Sequence, residues 1–465
     1  MRPNILWICT DQQRWDTIHA LGNDHIRTPN MDRLVNMGTA FDRAYCQSPI
    51  CTPSRASFLT GLYPSTVHGT TNGNVVWDEA APLITKMLAD AGYDCGLVGK
   101  FHLAGGWHRV EPRPQDDGYR VFEWSHAPRN DWPEGHAWKE WVEAKGHDLG
   151  ELVKKPHEIP VELHREYWCT ERAIDFIEGD HNDKPWMMTI NYYYPHPPFD
   201  PPQEYLDRYT ADDVPDVLFR DSDIEAQQRL ADIDFQSKVR HPDSFEAKKA
   251  KAAYYGMIEF LDDLTGMLLE SLERTGQLDN TLIIFMSDHG ETIGDHGLLF
   301  KGCRFYEGLV RVPLMFVWPG QVQAGVVSDA LVELTDIVPT LLDICDVAYP
   351  DKMMGCSLWP ILTGQADPQQ HRDHVRCEYY RTLLPGEETG FEGSYATMIR
   401  DERYKLVVYH GHQLGELFDL ENDPGEFVNL WDDPASADVR FRLLLQSFDS
   451  LAFAVDYGTR QILYS

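Results

Sequence analysis

Four polar residues stand where two apolar runs stop. "NILWIC" leads into Asp11-Gln12, and "NTLIIFMS" leads into Asp288-His289. Carboxylate and amide oxygens suit a hard divalent cation, Ca²⁺, Mg²⁺ or Mn²⁺, and the single imidazole favours Ca²⁺ or Mn²⁺ over an all-oxygen Mg²⁺ site. Such a site lacks a nucleophile. The stretch "CTPSRASFLTG" opens on Cys51, which has no second cysteine at metal-ligand or redox spacing after it, and continues through Pro53, Ser54 and Arg55 into a helix that stops at Thr60-Gly61. His196 follows a third apolar run, in "YYYPHPPFDPP". Each residue alone has an ordinary reading: an Asp after a strand forms a turn or cap, a lone Cys fills a small apolar space, and an Arg pairs at the surface. Their coincidence at strand ends is the signal, because open parallel sheets place ligands beyond the carboxyl ends of their strands.

The elements that must position these residues alternate between strand and helix. A strand is expected over 4–9, a helix over "TPNMDRLVNMG", another over "EAAPLITKMLADAG", and a strand at "DCGLVGK". Residues 103–160, rich in Trp, His, Pro and Gly, read as a long surface insertion. "VELHREYWCTERAIDFIEG" returns to helix and "PWMMTINYYY" to strand. Over 245–275, Met257, Leu261, Leu264, Leu268 and Leu272 share one helix face. "VPLMFVWPG" is a further strand and "LTDIVPTLLDIC" a helix. Beyond about residue 365, four short runs ("HVRCEYY", "SYATMIR", "YKLVVYH", "GELFDL") read as antiparallel strands, with a closing helix from about 435. The expected architecture is therefore α/β: a large mostly parallel sheet sandwiched by helices over 1–365, then a smaller C-terminal α+β subdomain over 366–465.

Composition narrows the partners. The chain has 465 residues, with 74 Asp+Glu against 41 Lys+Arg. That balance argues against nucleic acid, which needs a basic surface. It also requires any anion site to be a local basic pocket in a negative field. No run approaches the roughly 18 to 20 apolar residues of a membrane span. The N-terminus "MRPNILWICTDQQ" shows no secretory leader. Nine scattered cysteines do not form a disulfide framework. The expectation is a cytoplasmic protein in a reducing compartment, with a homo-oligomer left open.

Cys51-Thr52-Pro53-Ser54-Arg55, followed by Thr60-Gly61, resembles the C-x-P-S-R-x-x-x-x-T-G motif of type I sulfatases in the alkaline phosphatase superfamily. A second motif of that family is matched by "GYDCGLVGKFH", departing at Cys95, where Ser or Thr is usual. The resemblance implies an alkaline phosphatase-like fold and a sulfuric ester hydrolase. It implies that Cys51 is oxidised to formylglycine by a formylglycine-generating enzyme that reads Cys-x-Pro-x-Arg. The hydrated aldehyde would offer one hydroxyl to attack sulfur, and the other would later expel sulfate. By the same resemblance Asp11, Gln12, Asp288 and His289 are the metal ligands together with the modified Cys51, with Ca²⁺ favoured and Mn²⁺ or Mg²⁺ as alternatives. Arg55 would stabilise the nucleophile, Lys100 and His102 would form the G-K-x-H pair with His102 as base, and His196 and Lys301 would grip the sulfate. Asn72 matches an anion-binding Asn, and reads equally as an Asn-Gly turn with Gly73.

Gln12 and His289 depart from the usual Asp-Asp and Asp-Asn patterns. They resemble the choline sulfatase and phosphonate monoester hydrolase branches. A phosphonate monoester or phosphodiester hydrolase is therefore the rival reading. Lys100 and His102 oppose it, since that branch resembles a Tyr-x-Thr pair there. The substrate is expected to be a small anionic sulfate ester. Trp107, Trp124, Trp132, Trp138 and Trp141 could present aromatic platforms to a sugar, an aryl group or a quaternary ammonium, or could equally be core.

Overall fold

The computed structural model describes residues 2–77, 81–106, 108–233, 238–383 and 393–455. Its main sheet has eight strands, in the order Val326–Ser328, Thr39–Phe41, Leu314–Val317, Thr281–Ser287, Asn4–Thr10, Trp186–Asn191, Asp94–Gly99 and Val121–Trp124. Only Leu314–Val317 runs antiparallel to its neighbours in this sheet. The central strands are apolar throughout because helices cover both faces. Alternation still decides which side chain goes where. Ile5, Trp7 and Cys9 enter one core with Phe58, Leu59 and Leu341, while Leu6 and Ile8 enter the other with Leu34, Trp168 and Leu264.

The long helix Ala247–Arg274 lies over that second face. Met257, Leu261, Leu264, Leu268 and Leu272 are all at most 1% exposed. Burying each such side chain stabilises the fold by about 1.5 to 3 kcal/mol. On the other face the Cys51–Thr60 helix is buried along its whole length, so it shows no polar face. It ends at Gly61, whose φ of 72° and N–H bond to Ser57 O (2.8 Å) close the last turn.

Two expectations need correction. The 103–160 stretch is not only a surface insertion. Val121–Trp124 pairs in parallel with Asp94–Gly99 and supplies the outermost strand of the main sheet. Trp124, Trp132 and Trp138 are at most 3% exposed and pack as core, so they offer no platform; Trp107 lies outside the described residues. The helix expected from "EAAPLITKMLADAG" begins only at Ile84. Pro82 disfavours helical geometry in the residue before it, which delays the start.

A four-stranded antiparallel sheet (Val375–Tyr380, Tyr395–Arg400, Tyr404–Tyr409, Leu414–Asp419) follows near the C-terminus, packed by the helix Ala437–Phe453. Among the described residues no helix is long and apolar enough to cross a membrane.

Candidate active site

Thr10 and Ser287 pair in register at the ends of two adjacent parallel strands. The residues that follow them therefore emerge side by side. Asp11, Gln12, Asp288 and His289 are all fully buried. Asp288 Oδ1 accepts from the backbone N–H groups of Gln12 (3.0 Å) and His289 (2.9 Å), which ties the two strand ends together. Gln12 takes a left-handed φ of 74°, a strained conformation of the kind that collects at working sites. His289 Nδ1 donates to Gly290 O at 2.9 Å, which leaves Nε2 as the ring nitrogen turned to the site.

The Cys51–Thr60 helix brings its first residue to this point. Ligand atoms of Asp11, Cys51, Asp288 and His289 lie within 4.8 Å of one another. Cys51 Sγ stands 3.2 Å from His289 Nε2, 3.3 Å from Lys100 Nζ and 2.9 Å from Lys301 Nζ. Burial and the Asp11 carboxylate push the Cys51 thiol up, but Lys100, Lys301 and His289 outweigh them and bring it down to about 5. The helix N-terminus acts in the same direction. Asp11 is held well below the ordinary carboxylate range: burial opposes this, and Lys100, bonded to Oδ2, overcomes it.

Arg55 lies one turn on from Cys51. Its Nε donates to Asp288 Oδ2 at 2.9 Å and its Nη1 to Lys100 O at 2.9 Å. Ser54 Oγ donates to Asp288 O at 2.5 Å. Asn72 sits at the head of the helix, where its Oδ1 accepts from Thr52 N at 3.3 Å and Gly73 N donates to Thr52 Oγ1 at 3.0 Å. These contacts bear out the turn reading of Asn72, a turn that satisfies an otherwise open helix N–H.

Lys100 leaves the strand Asp94–Gly99 at Gly99, whose φ is 101° and where a Cβ would lie 2.1 Å from Asn191 O. Only glycine permits that approach. His102, also at positive φ (59°), is set by Glu111, whose carboxylate accepts from the N–H groups of His102 (2.6 Å), Leu103 (2.5 Å) and Ala104 (2.8 Å). Burial, reinforced by Lys100 and Arg55, holds the His102 imidazole well below its ordinary pKa, so it is neutral. His196 is neutral for the same first reason, with Lys301 second. Its Nδ1 donates to Pro197 O at 2.7 Å, and its ring lies 4.5 Å from that of Tyr193. Tyr193 is in turn covered by Lys100 and Arg165, at 5.4 Å and 4.4 Å from its centroid.

Sequence reasoning missed Glu111, Tyr193 and Glu291. The first fixes His102, the second walls Lys100 and His196, and the third binds Gln12. Tyr193 could have been found as the middle of the Tyr run before His196. The two glutamates carry no local signal.

The result is a buried group of two carboxylates, an amide, an imidazole and a thiol, flanked by two ammonium groups and two neutral histidines. It can hold a dication and a small tetrahedral anion together.

The sulfatase family profile matches residues 3–347, and that of the N-sulphoglucosamine sulphohydrolase C-terminal region matches residues 294–450. The chain is 32% identical to an arylsulfatase of Clostridium perfringens, covering 92% of this chain and 90% of that one. It is also 32% identical to the multifunctional alkaline phosphatase superfamily protein PehA of Trinickia caryophylli, covering 94% and 92%. Among solved structures, the phosphonate monoester hydrolase of Agrobacterium radiobacter superposes with a TM-score of 0.83 at 28% identity, covering 98% of this chain and 96% of that one.

Proposed function

The chain belongs to the sulfatase family and is a hydrolase acting on sulfate esters; we propose that it does so through a formylglycine made from Cys51 and one divalent cation. The observation that carries this reading is the position of Cys51 Sγ, at the meeting point of Asp11, Asp288 and His289 and within reach of both Lys100 and Lys301.

The donor set fits the cation. Asp11, Gln12, Asp288 and His289 would hold it, two of them carboxyl-bearing and all buried; Asp11, Gln12 and Asp288 are set by hydrogen bonds from elsewhere in the chain, and His289 by the one its Nδ1 donates to Gly290 O. Oxygen-rich ligation with one imidazole favours Ca²⁺, with Mn²⁺ close behind. When present, the cation supplies Lewis acidity and the formylglycine an aldehyde hydrate as nucleophile.

The chain's own residues do the rest. Lys100 and Lys301 place two positive charges where sulfate oxygens would lie, preorganised in a water-poor site. His196 exposes Nε2 because Nδ1 is committed to Pro197 O. A bound sulfate ester adds negative charge beside it, which raises its pKa and lets it carry a proton to the departing alcohol oxygen. His102 is neutral and can accept a proton. Arg55 keeps Asp288 in place, and its charge opposes the burial and the Asp11 carboxylate that push the Asp288 carboxyl up.

The test is sulfate release from 4-nitrophenyl sulfate, choline sulfate and a panel of sulfated sugars, before and after chelation. Activity should vanish with chelator and return with Ca²⁺ or Mn²⁺. Full activity in thoroughly stripped protein would overturn the metal assignment.

A further inference from the structure

Gln12 ends in an amide whose two atoms are chemically opposite, and the structure holds each by a partner of one kind. Nε2 donates to Glu291 Oε2, and Oε1 accepts from Lys301 Nζ at 2.8 Å. An ammonium can only donate and a carboxylate only accept, so both contacts select the same orientation. Lys301 also reaches Cys51 Sγ (2.9 Å) and His289 Nε2 (3.4 Å), which places Gln12 Oε1 toward the candidate ligand atoms.

Glu291 is itself fixed. It is fully buried, its Oε1 accepts from Ile293 N (3.1 Å), and its backbone O accepts from Arg14 Nη1 (2.9 Å). Both of its oxygens act as acceptors, one from Gln12 and one from Ile293. Glu291 and Lys301 belong to one loop that begins with Asp288 and His289. Thr292 Oγ1 to Phe300 O (2.8 Å) and Gly294 N to Leu298 O (2.8 Å) brace that loop from within. One loop thus supplies two ligands and both clamps on a third.

We propose that Glu291 is a positioning residue that locks the Gln12 amide with its oxygen, and never its NH₂, toward the metal. The inference rests on the metal reading above. A Gln at this position is a ligand only in one of its two flips; a carboxylate there would need no such partner. Glu291 is what makes a neutral Gln serviceable among Asp11 and Asp288.

The substitution Glu291→Gln discriminates sharply. One amide cannot accept at both ends, so the variant either loses the Ile293 bond or turns its NH₂ on Gln12 and permits the flip. The experiment is calorimetric titration of chelator-stripped protein with Ca²⁺ and, separately, Mn²⁺. Wild type, E291Q and the exchanged pair Q12E/E291Q are compared, with thermal unfolding of each recorded in chelator. E291Q should bind roughly 10 to 100-fold more weakly than wild type. The exchanged pair should recover wild-type affinity or better, because a carboxylate at position 12 presents oxygen in either flip while the amide introduced at position 291 donates to it. Wild-type affinity in E291Q overturns the inference. So does an exchanged pair as weak as E291Q, which would mean that Glu291 only supports the loop. A wild-type protein that takes up neither cation overturns the metal reading and this inference together.

Discussion

Arg55 reaches past Cys51, which opens the same helix, and pairs with Asp288 Oδ2 at 2.9 Å, both side chains being at most 1% exposed. The helix that presents the proposed nucleophile position is thereby tied to the strand end that presents a proposed ligand. Removing the arginine leaves a buried carboxylate without its cation. Arg55→Ala should cost about 3 to 5 kcal/mol of stability, and Arg55→Lys less. Denaturant unfolding checks this; an alanine variant within about 0.5 kcal/mol of wild type would show that the pair anchors nothing.

Oxidation of Cys51 has a mass. The tryptic peptide from Ala44 to Arg55, from protein matured in a competent host, should be lighter by about 18 Da than its thiol form. Cys51→Ala should fold nearly normally and lose turnover. A fully active preparation whose Cys51 is homogeneous thiol would contradict the proposal, as would a near-normal alanine variant.

Lys100 and His102 bear on selectivity. A sulfate monoester offers three terminal oxygens to the surrounding cations, whereas a diester puts a second substituent where one of them must reach. Losing one charge-assisted contact in the transition state costs about 2 to 4 kcal/mol, a factor of about 30 to 1000. Replacing the pair by Tyr and Thr should narrow the ratio of sulfate ester to phosphodiester kcat/KM. An unchanged ratio would remove these residues from the account of specificity.

Acid should weaken the wall behind Tyr193. Glu166 accepts from Tyr194 N at 3.2 Å and pairs with His164 (2.9 Å) and with Arg165. Burial raises its pKa, but Arg165 and His164 outweigh burial and hold it at about 2. A carboxyl depressed in the fold contributes stability that is fully present above its ordinary value. That contribution is lost as pH falls toward the folded value, at up to about 1.4 kcal/mol per pH unit. Urea midpoints measured from about pH 5 to about pH 3 should therefore fall more steeply for wild type than for Glu166→Gln. Parallel slopes would remove Glu166 as the acid-labile group.

Much of this was readable because the signals are local. Apolar runs ending in Asp11-Gln12 and Asp288-His289 mark strand ends, and the Cys51 to Gly61 motif marks a helix with its stop. The edge strand Val121–Trp124 was not legible: "VFEW" is four residues long, carries a charge, and owes its strand form to pairing with Asp94–Gly99. Nor were the tryptophan rings, whose burial comes from mutual packing, such as the 5.3 Å contact of Trp124 with Trp132. Glu291 meets Gln12 across 279 positions, and Glu111 serves three N–H groups that no pattern marks. Such contacts belong to the folded sheet, not to any window of sequence.

The most direct test is kcat/KM for 4-nitrophenyl sulfate and the sulfate ester panel against a phosphonate monoester and a phosphodiester, on one preparation with Cys51 oxidation and metal content measured. At least one sulfate ester should exceed both phosphorus substrates. A phosphonate monoester or phosphodiester cleaved faster than every sulfate ester tried would contradict the account and establish the rival chemistry on this fold.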